Sequence, residues 1–266
     1  MSAATRAAAT VLIMAGVAAG LYHYWQSGVE SPAPSMPPMA ANLPATPAPS
    51  DEPAIRHPIA PDATQPAAAP TALPALADSD PEMESALRQL LGNESWLALV
   101  HPDRIIRRIV ATVDNLPRKQ APVGVMPVKP VGSAFAAQRA GKDLSIGPAN
   151  PKRYDAYLSL LQAVDAGSMV AVYRRFYPLF QQAYVELGYP KGYFNDRLVE
   201  VVDHLLAAPD IDGSIALVQP KVLYQFADPE LEARSAGHKI LMRMGKENAA
   251  KVKAKLREIR SELTRG

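Results

Sequence analysis

From Asp80 to Thr264 the apolar residues recur three and four apart in six or seven separate runs, the spacing of helices that each bury one face. Asp80-Pro81, Asn150-Pro151 and Asp228-Pro229 each set a capping side chain ahead of a proline, whose missing N–H costs nothing in a first turn. They predict helix starts. The first run ends at Gly92, and the next, Pro102–Asn115, puts Ile105, Ile106, Ile109, Val110 and Val113 on one face. Ala121–Pro148 has no helical period and is expected to be a loop with one hairpin near Ala140-Gly141. Helices follow through Tyr154–Val164 to Gly167, from Ser168 to Leu187 with a kink at Pro178, and from about Tyr193 to Ala207. Ile215–Val218 and Val222–Phe226 are expected to pair as short strands. Asp228 then opens a helix to Met244, and Glu247–Thr264 closes the pattern with Val252, Leu256, Ile259 and Leu263 on one stripe. The expected fold is mainly α, a single helical domain with one or two short β-hairpins, preceded by a transmembrane helix and a disordered proline-rich tether.

Upstream of Asp78 the pattern changes. Ala7–Trp25 carries no formal charge and as a helix would run roughly 28 Å, close to the hydrocarbon thickness of a bilayer. Val11 lies in its most apolar part, and Tyr22, Tyr24 and Trp25 end it with rings suited to the headgroup level. Arg6 precedes it, while the next 30 residues hold Glu30, Asp51 and Glu52 and no Lys or Arg. The charge bias puts residues 1–6 in the cytoplasm and everything after Trp25 outside it, in the periplasm of an inner-membrane protein. A signal peptide cleaved after Val17-Ala18-Ala19 is the rival, but it would leave Leu21–Trp25 at a free N-terminus. Gly16 and Gly20 form a G-x-x-x-G spacing that would allow a weak homodimer, although an Ala/Gly-rich span produces it by chance.

Thirteen of the 26 prolines lie between Pro32 and Pro74. They mark residues 26–77 as a disordered tether with local polyproline II, and leave residues 78–266 as the domain. Stretched out, Ser31–Pro74 would reach roughly 140 Å.

Composition removes several chemistries. There is no cysteine, hence no disulfide, thiolate metal site or cysteine nucleophile. The net charge of +2 is too small and dispersed for a nucleic-acid surface. The five histidines show no metal-ligand spacing, and neither a G-x-S-x-G elbow nor a phosphate-binding glycine motif occurs. No cofactor is expected. Two clusters remain. Tyr173, Phe176, Tyr177, Phe180 and Tyr184 form a helical aromatic stripe, which is read first as core and second as a groove for sugar rings or a peptide. Asp228, Glu232, Lys239 and Arg243 form an ionic cluster, with Asp228 read as a helix cap and the other three as an interhelical seam or a ligand clamp. Lys251, Lys253, Lys255, Arg257 and Arg260 are read as the solvated face of the last helix.

The residues Ile106–Pro117, Arg153-Tyr154, Tyr173–Tyr184 (YRRFYPLFQQAY), Leu187-Gly188-Tyr189-Pro190, Phe194-Asn195, Phe226–Glu232 and Lys239–Gly245 together resemble a bacterial family catalogued only as domain of unknown function 3014. The resemblance spans roughly residues 74–261 and implies an N-terminally anchored envelope protein, with no activity or ligand to carry over. The combined expectation is a binding or scaffold domain for an envelope protein or for peptidoglycan. Tyr177, Asn195, Asp228, Glu232, Lys239 and Arg243 are its candidate surface, and Ala7, Val11, Gly16, Gly20 and Trp25 mark its anchor. The alternative is a glycan-acting enzyme using Asp228 or Glu232 with Tyr177 nearby.

Overall fold

Every cap-then-proline pair does begin a helical segment, but two of the three capping side chains act elsewhere. The computed structural model describes residues 54–59, 73–92, 95–132 and 134–265. The anchor expected at Ala7–Trp25, with Val11, Gly16 and Gly20, lies outside them, as does most of the tether. Among the described residues are eight α-helices: α1 (Asp80–Leu91), α2 (Ile105–Asn115), α3 (Asp155–Ala163), α4 (Ala166–Glu186), α5 (Phe194–Leu206), α6 (Pro229–Glu232), α7 (Ala236–Met244) and α8 (Lys246–Leu263). None of them is long and apolar enough to cross a membrane.

Asp80 does not cap α1. Its carboxylate reaches 24 residues ahead and accepts the N–H groups of Arg104 (2.6 Å) and Ile105 (3.1 Å), the first donors of α2. Asn150 is fully buried; it donates to the Arg243 carbonyl (2.7 Å) and accepts from the Ala136 N–H (3.2 Å), tying three distant segments together. Only Asp228 caps its own helix, accepting from Glu230 and Leu231. The helix expected from Asp228 to Met244 is broken, because Ser235 accepts the His238 N–H and starts α7 afresh.

The main core lies where α1, α2, α4 and α5 meet. Ile105, Ile106, Val110 and Val113 of α2 face Phe176, Leu179, Phe180, Ala183 and Tyr184 of α4, with Phe194 and Val201 of α5 between them. The aromatic stripe is therefore chiefly core. Leu76 is buried there too and Leu73 packs against it, so the domain begins a few residues before Asp78. α8 packs on α3, α4, α5 and α7. Its lysines are not a free solvated face: Lys253 is buried, its ammonium donating to the Ala208 carbonyl and Asp210 at 2.7 Å each. A stem that long can be covered as long as its charged end finds acceptors.

Both expected hairpins form: β1 (Ala137–Ala140) with β2 (Asp143–Ile146), turning at Gly141, and β3 (Leu217–Val218) with β4 (Gln225–Phe226). The Ile146 N–H donates to the Ile215 carbonyl (2.9 Å), joining the hairpins over a second core of Ile215, Leu217, Phe226 and Met242.

Candidate functional site

The turn Gly188–Tyr193 delivers the chain from the end of α4 to the start of α5, and it needs its glycines. Gly188 has φ 115°, and a Cβ on Gly192 would sit 2.7 Å from the Tyr184 ring. Gln181 of α4 fixes the turn from below, donating to the Gly192 carbonyl (2.7 Å) and accepting the Phe194 N–H (2.8 Å). It thereby satisfies an open donor of α5 that no cap residue serves. The Tyr177 hydroxyl donates to the same Gln181 oxygen (3.0 Å), and its ring lies 5.4 Å from that of Tyr193. The Tyr173 hydroxyl donates to the Asn195 side-chain oxygen (3.2 Å). On the other flank Arg197 and Tyr189 both donate to Asp114, a carboxylate buried between α2 and α5. The head of α5 is held from three sides, so Tyr193, Asn195 and Asp196 present fixed polar atoms.

Those atoms are occupied by the chain itself. Ala54–Ile59, inside the stretch read as tether, lies against the head of α5 with a bend at Arg56–His57. The Arg56 and His57 N–H groups donate to the two oxygens of Asp196 at 2.9 and 2.7 Å. Asn195 donates to the His57 carbonyl (2.9 Å), and the Ile59 N–H donates to the Tyr193 hydroxyl (2.8 Å). Pro58 has no N–H, so every main-chain donor from 56 to 59 is satisfied. Each contact reads backbone. The Arg56 side chain and Ile55 stay exposed. A cavity of about 180 Å³ remains beside the segment, among Arg56, Tyr184, Tyr193, Asp196, Arg197 and Glu200. Hydrogen bonds to a charged group of this kind contribute about 1.5–3 kcal/mol each, and Asp196 and Asn195 are almost fully covered.

Of the expected site residues, Asn195 contacts the segment and Tyr177 supports the head of α5 through Gln181. Asp228, Glu232, Lys239 and Arg243 do neither; they flank the second core. Asp228 is a cap. Glu232 accepts the Phe226 N–H (2.9 Å) and pairs with Lys239 (3.1 Å), while the Arg243 guanidinium lies over the Phe226 ring, 5.4 Å from its centre. Burial pushes the Glu232 carboxyl up, but the Phe226 N–H, Lys239 and Arg243 outweigh it and hold it below the usual glutamate value. Such a group stays ionised and engaged. Burial raises the Tyr177 and Tyr173 phenols far above the ordinary value, which leaves them neutral hydrogen-bond groups. The glycan-acting arrangement of Tyr177 with Asp228 or Glu232 is not assembled, since the phenol and the carboxylates serve different cores.

Sequence reasoning missed Asp196, which reads as an ordinary acid in a first helical turn, and it missed the bound segment. A signal was present: Ile55 and Ile59 are the only isoleucines of residues 26–77, and they bracket that stretch's only arginine and only histidine. His204 and His238, 34 residues apart, also meet unannounced, with rings stacked 4.2 Å apart. Among the described residues no group of three or more His, Asp or Glu could hold a metal ion. A larger cleft of about 470 Å³ lies where β2 and the Pro209–Ile215 segment face α7 and the start of α8.

No curated protein and no solved structure matches the chain. A family model described as "Protein of unknown function (DUF3014)" matches residues 105–260, which include the α4–α5 turn and the head of α5 but not Ala54–Ile59. That match runs over more than half of the chain, and the protein belongs to the DUF3014 family.

Proposed function

We propose that this protein is a single-pass inner-membrane protein, N-terminus in the cytoplasm, whose tethered periplasmic domain works by binding a segment of another envelope protein in the groove at the head of α5. The observation that carries the binding reading is the pre-positioned set of Asp196, Asn195 and Tyr193, which engages four main-chain atoms of a segment about 140 residues away. Peptide amides, which peptide chains supply in series and sugar rings do not, are the complement of such a set. The glycan strands of peptidoglycan do not supply that series, which leaves its short stem peptides as the part of the polymer such a set could engage. The topology rests on the uncharged Ala7–Trp25 stretch and the position of Arg6. No observation favours the enzyme alternative.

The absence of native cysteine gives a clean test. In a Lys119→Cys variant the new thiol should react with a membrane-impermeant maleimide on intact spheroplasts, and the labelled protein should sediment with membranes. Reaction only after lysis would refute the topology. A photo-crosslinking residue at Glu200, beside the groove, should trap another envelope polypeptide far more often than one at exposed Val222 on the β3–β4 hairpin. Equal yields at both positions would count against binding at this site.

A further inference from the structure

The pattern of contacts on Ala54–Ile59 specifies what else would fit. Three donors are read, at 56, 57 and 59, together with the carbonyl of 57; the third position presents no N–H and meets no acceptor. Two successive N–H groups must turn toward one carboxylate, which the bend at Arg56–His57 achieves. His57, the second of the two, is biased away from helical geometry by Pro58 after it. Proline is thus tolerated at the third position and excluded from the other three. Side chains contribute less: Ile55, Arg56 and Pro58 remain exposed, and His57 and Ile59 are half-buried without joining a buried core.

We propose that the groove at the head of α5 is a main-chain reader for peptides of the form X-X-Pro-X with free N–H groups at the first, second and fourth positions. Ala54–Ile59 is its resident competitor. The inference rests on reading this groove as a protein-binding site and adds its ligand class and its regulation. A segment joined to the domain by the same chain sits at a high effective concentration, of order millimolar, so a partner must outcompete it or arrive on a linked surface. Displacement would also change the reach of the domain. From residue 26 to a docked Ala54–Ile59 the chain can span at most roughly 90 Å, and from residue 26 to residue 73 with the segment released roughly 150 Å, at the rise of extended polyproline.

The test uses the full-length chain in detergent micelles and a fluorescent acetylated peptide with the sequence of residues 53–60, read by anisotropy. Arg56→Pro with His57→Pro removes both N–H groups that face Asp196 while leaving the helical domain untouched. This variant is expected to bind the peptide about tenfold more tightly than wild type, or more. The same peptide N-methylated at its Arg and His should lose about tenfold in affinity for the variant, whereas replacing its Ile, Arg and His side chains by Ala should change affinity less than about threefold. Equal affinity for wild type and the double-proline variant would overturn the competitor role and leave the groove standing. Side-chain replacements that cost more than N-methylation would overturn the main-chain rule. No binding to either protein, with a native helical signal and a cooperative melt, would overturn the groove itself.

Discussion

Two polar clusters of this molecule, one around Phe226 and one at the head of α5, are partnered in different ways. Around Phe226, the partners of Asp228, Glu232 and Lys239 all come from residues 226–239; the cluster closes on itself. At the head of α5, Asp196, Asn195 and Tyr193 have their outward atoms filled by residues 56–59, about 140 positions upstream. The first arrangement can be broken only by unfolding the segment it stitches. The second can be emptied while the domain stays folded, because Ala54–Ile59 contributes nothing to either buried core. A polar group whose partner is detachable is a better functional lead than one whose partner is its neighbour.

Substitutions sharpen that contrast, beginning with the largest effect. Phe226→Ala, which empties a fully packed site under Arg243, should cost about 3–5 kcal/mol in urea unfolding. It should leave hydrogen-exchange protection of the Arg56 and His57 amides above the new baseline. Gly237→Ala comes next: a Cβ there would sit 2.4 Å from a Leu205 methyl and 3.2 Å from the Leu116 carbonyl, so a loss of about 1–3 kcal/mol is expected from the same experiment. Glu232→Gln should remove about 1–2 kcal/mol, because a neutral amide meets Lys239 less well, again without affecting Ala54–Ile59. Asp196→Ala reverses the pattern, releasing the segment while both buried cores stay packed, so that urea unfolding remains cooperative and loses only the free energy of docking.

Much of the scaffold was legible. Apolar spacing located the helices, and Gly141 and Gln219-Pro220 marked the hairpin turns, because those signals are local. What escaped reading is long-range. Asp80 looks like a cap for α1 and serves α2, and Asn150 looks like a cap and is a buried tie. Lys253 looks solvated but ends against Ala208 and Asp210. Ala54–Ile59 forms neither helix nor strand, yet it docks through its amides. Of the six residues proposed from the sequence, Tyr177 and Asn195 lie at or beneath the head of α5 and the other four flank the second core; Asp196 was not among them, since nothing local separates a first-turn carboxylate that steadies a helix from one that also holds another chain segment.

The smallest expected effect involves the stacked histidines. Burial, with His238 and Arg197 nearby and Glu200 opposing them, lowers the His204 pKa below the ordinary imidazole value of 6.5. The unfolded chain then binds a proton more readily than the folded one. The stability this contributes is therefore present above pH 6.5 and is lost as pH falls through the depressed folded value. His204→Gln should flatten that slope in melting temperature between pH 7 and pH 5; an unchanged slope would show that His204 does not titrate in this way.

The most direct measurement of the central claim is limited trypsin cleavage of the full-length chain. Between Arg6 and Arg88 the sequence holds one tryptic site, Arg56-His57, and that bond lies at the bend docked on Asp196. Cleavage there should be slow in the wild-type protein and about tenfold faster, or more, in Asp196→Ala, with the helical domain intact in both. Equal cleavage rates at Arg56 would contradict the account.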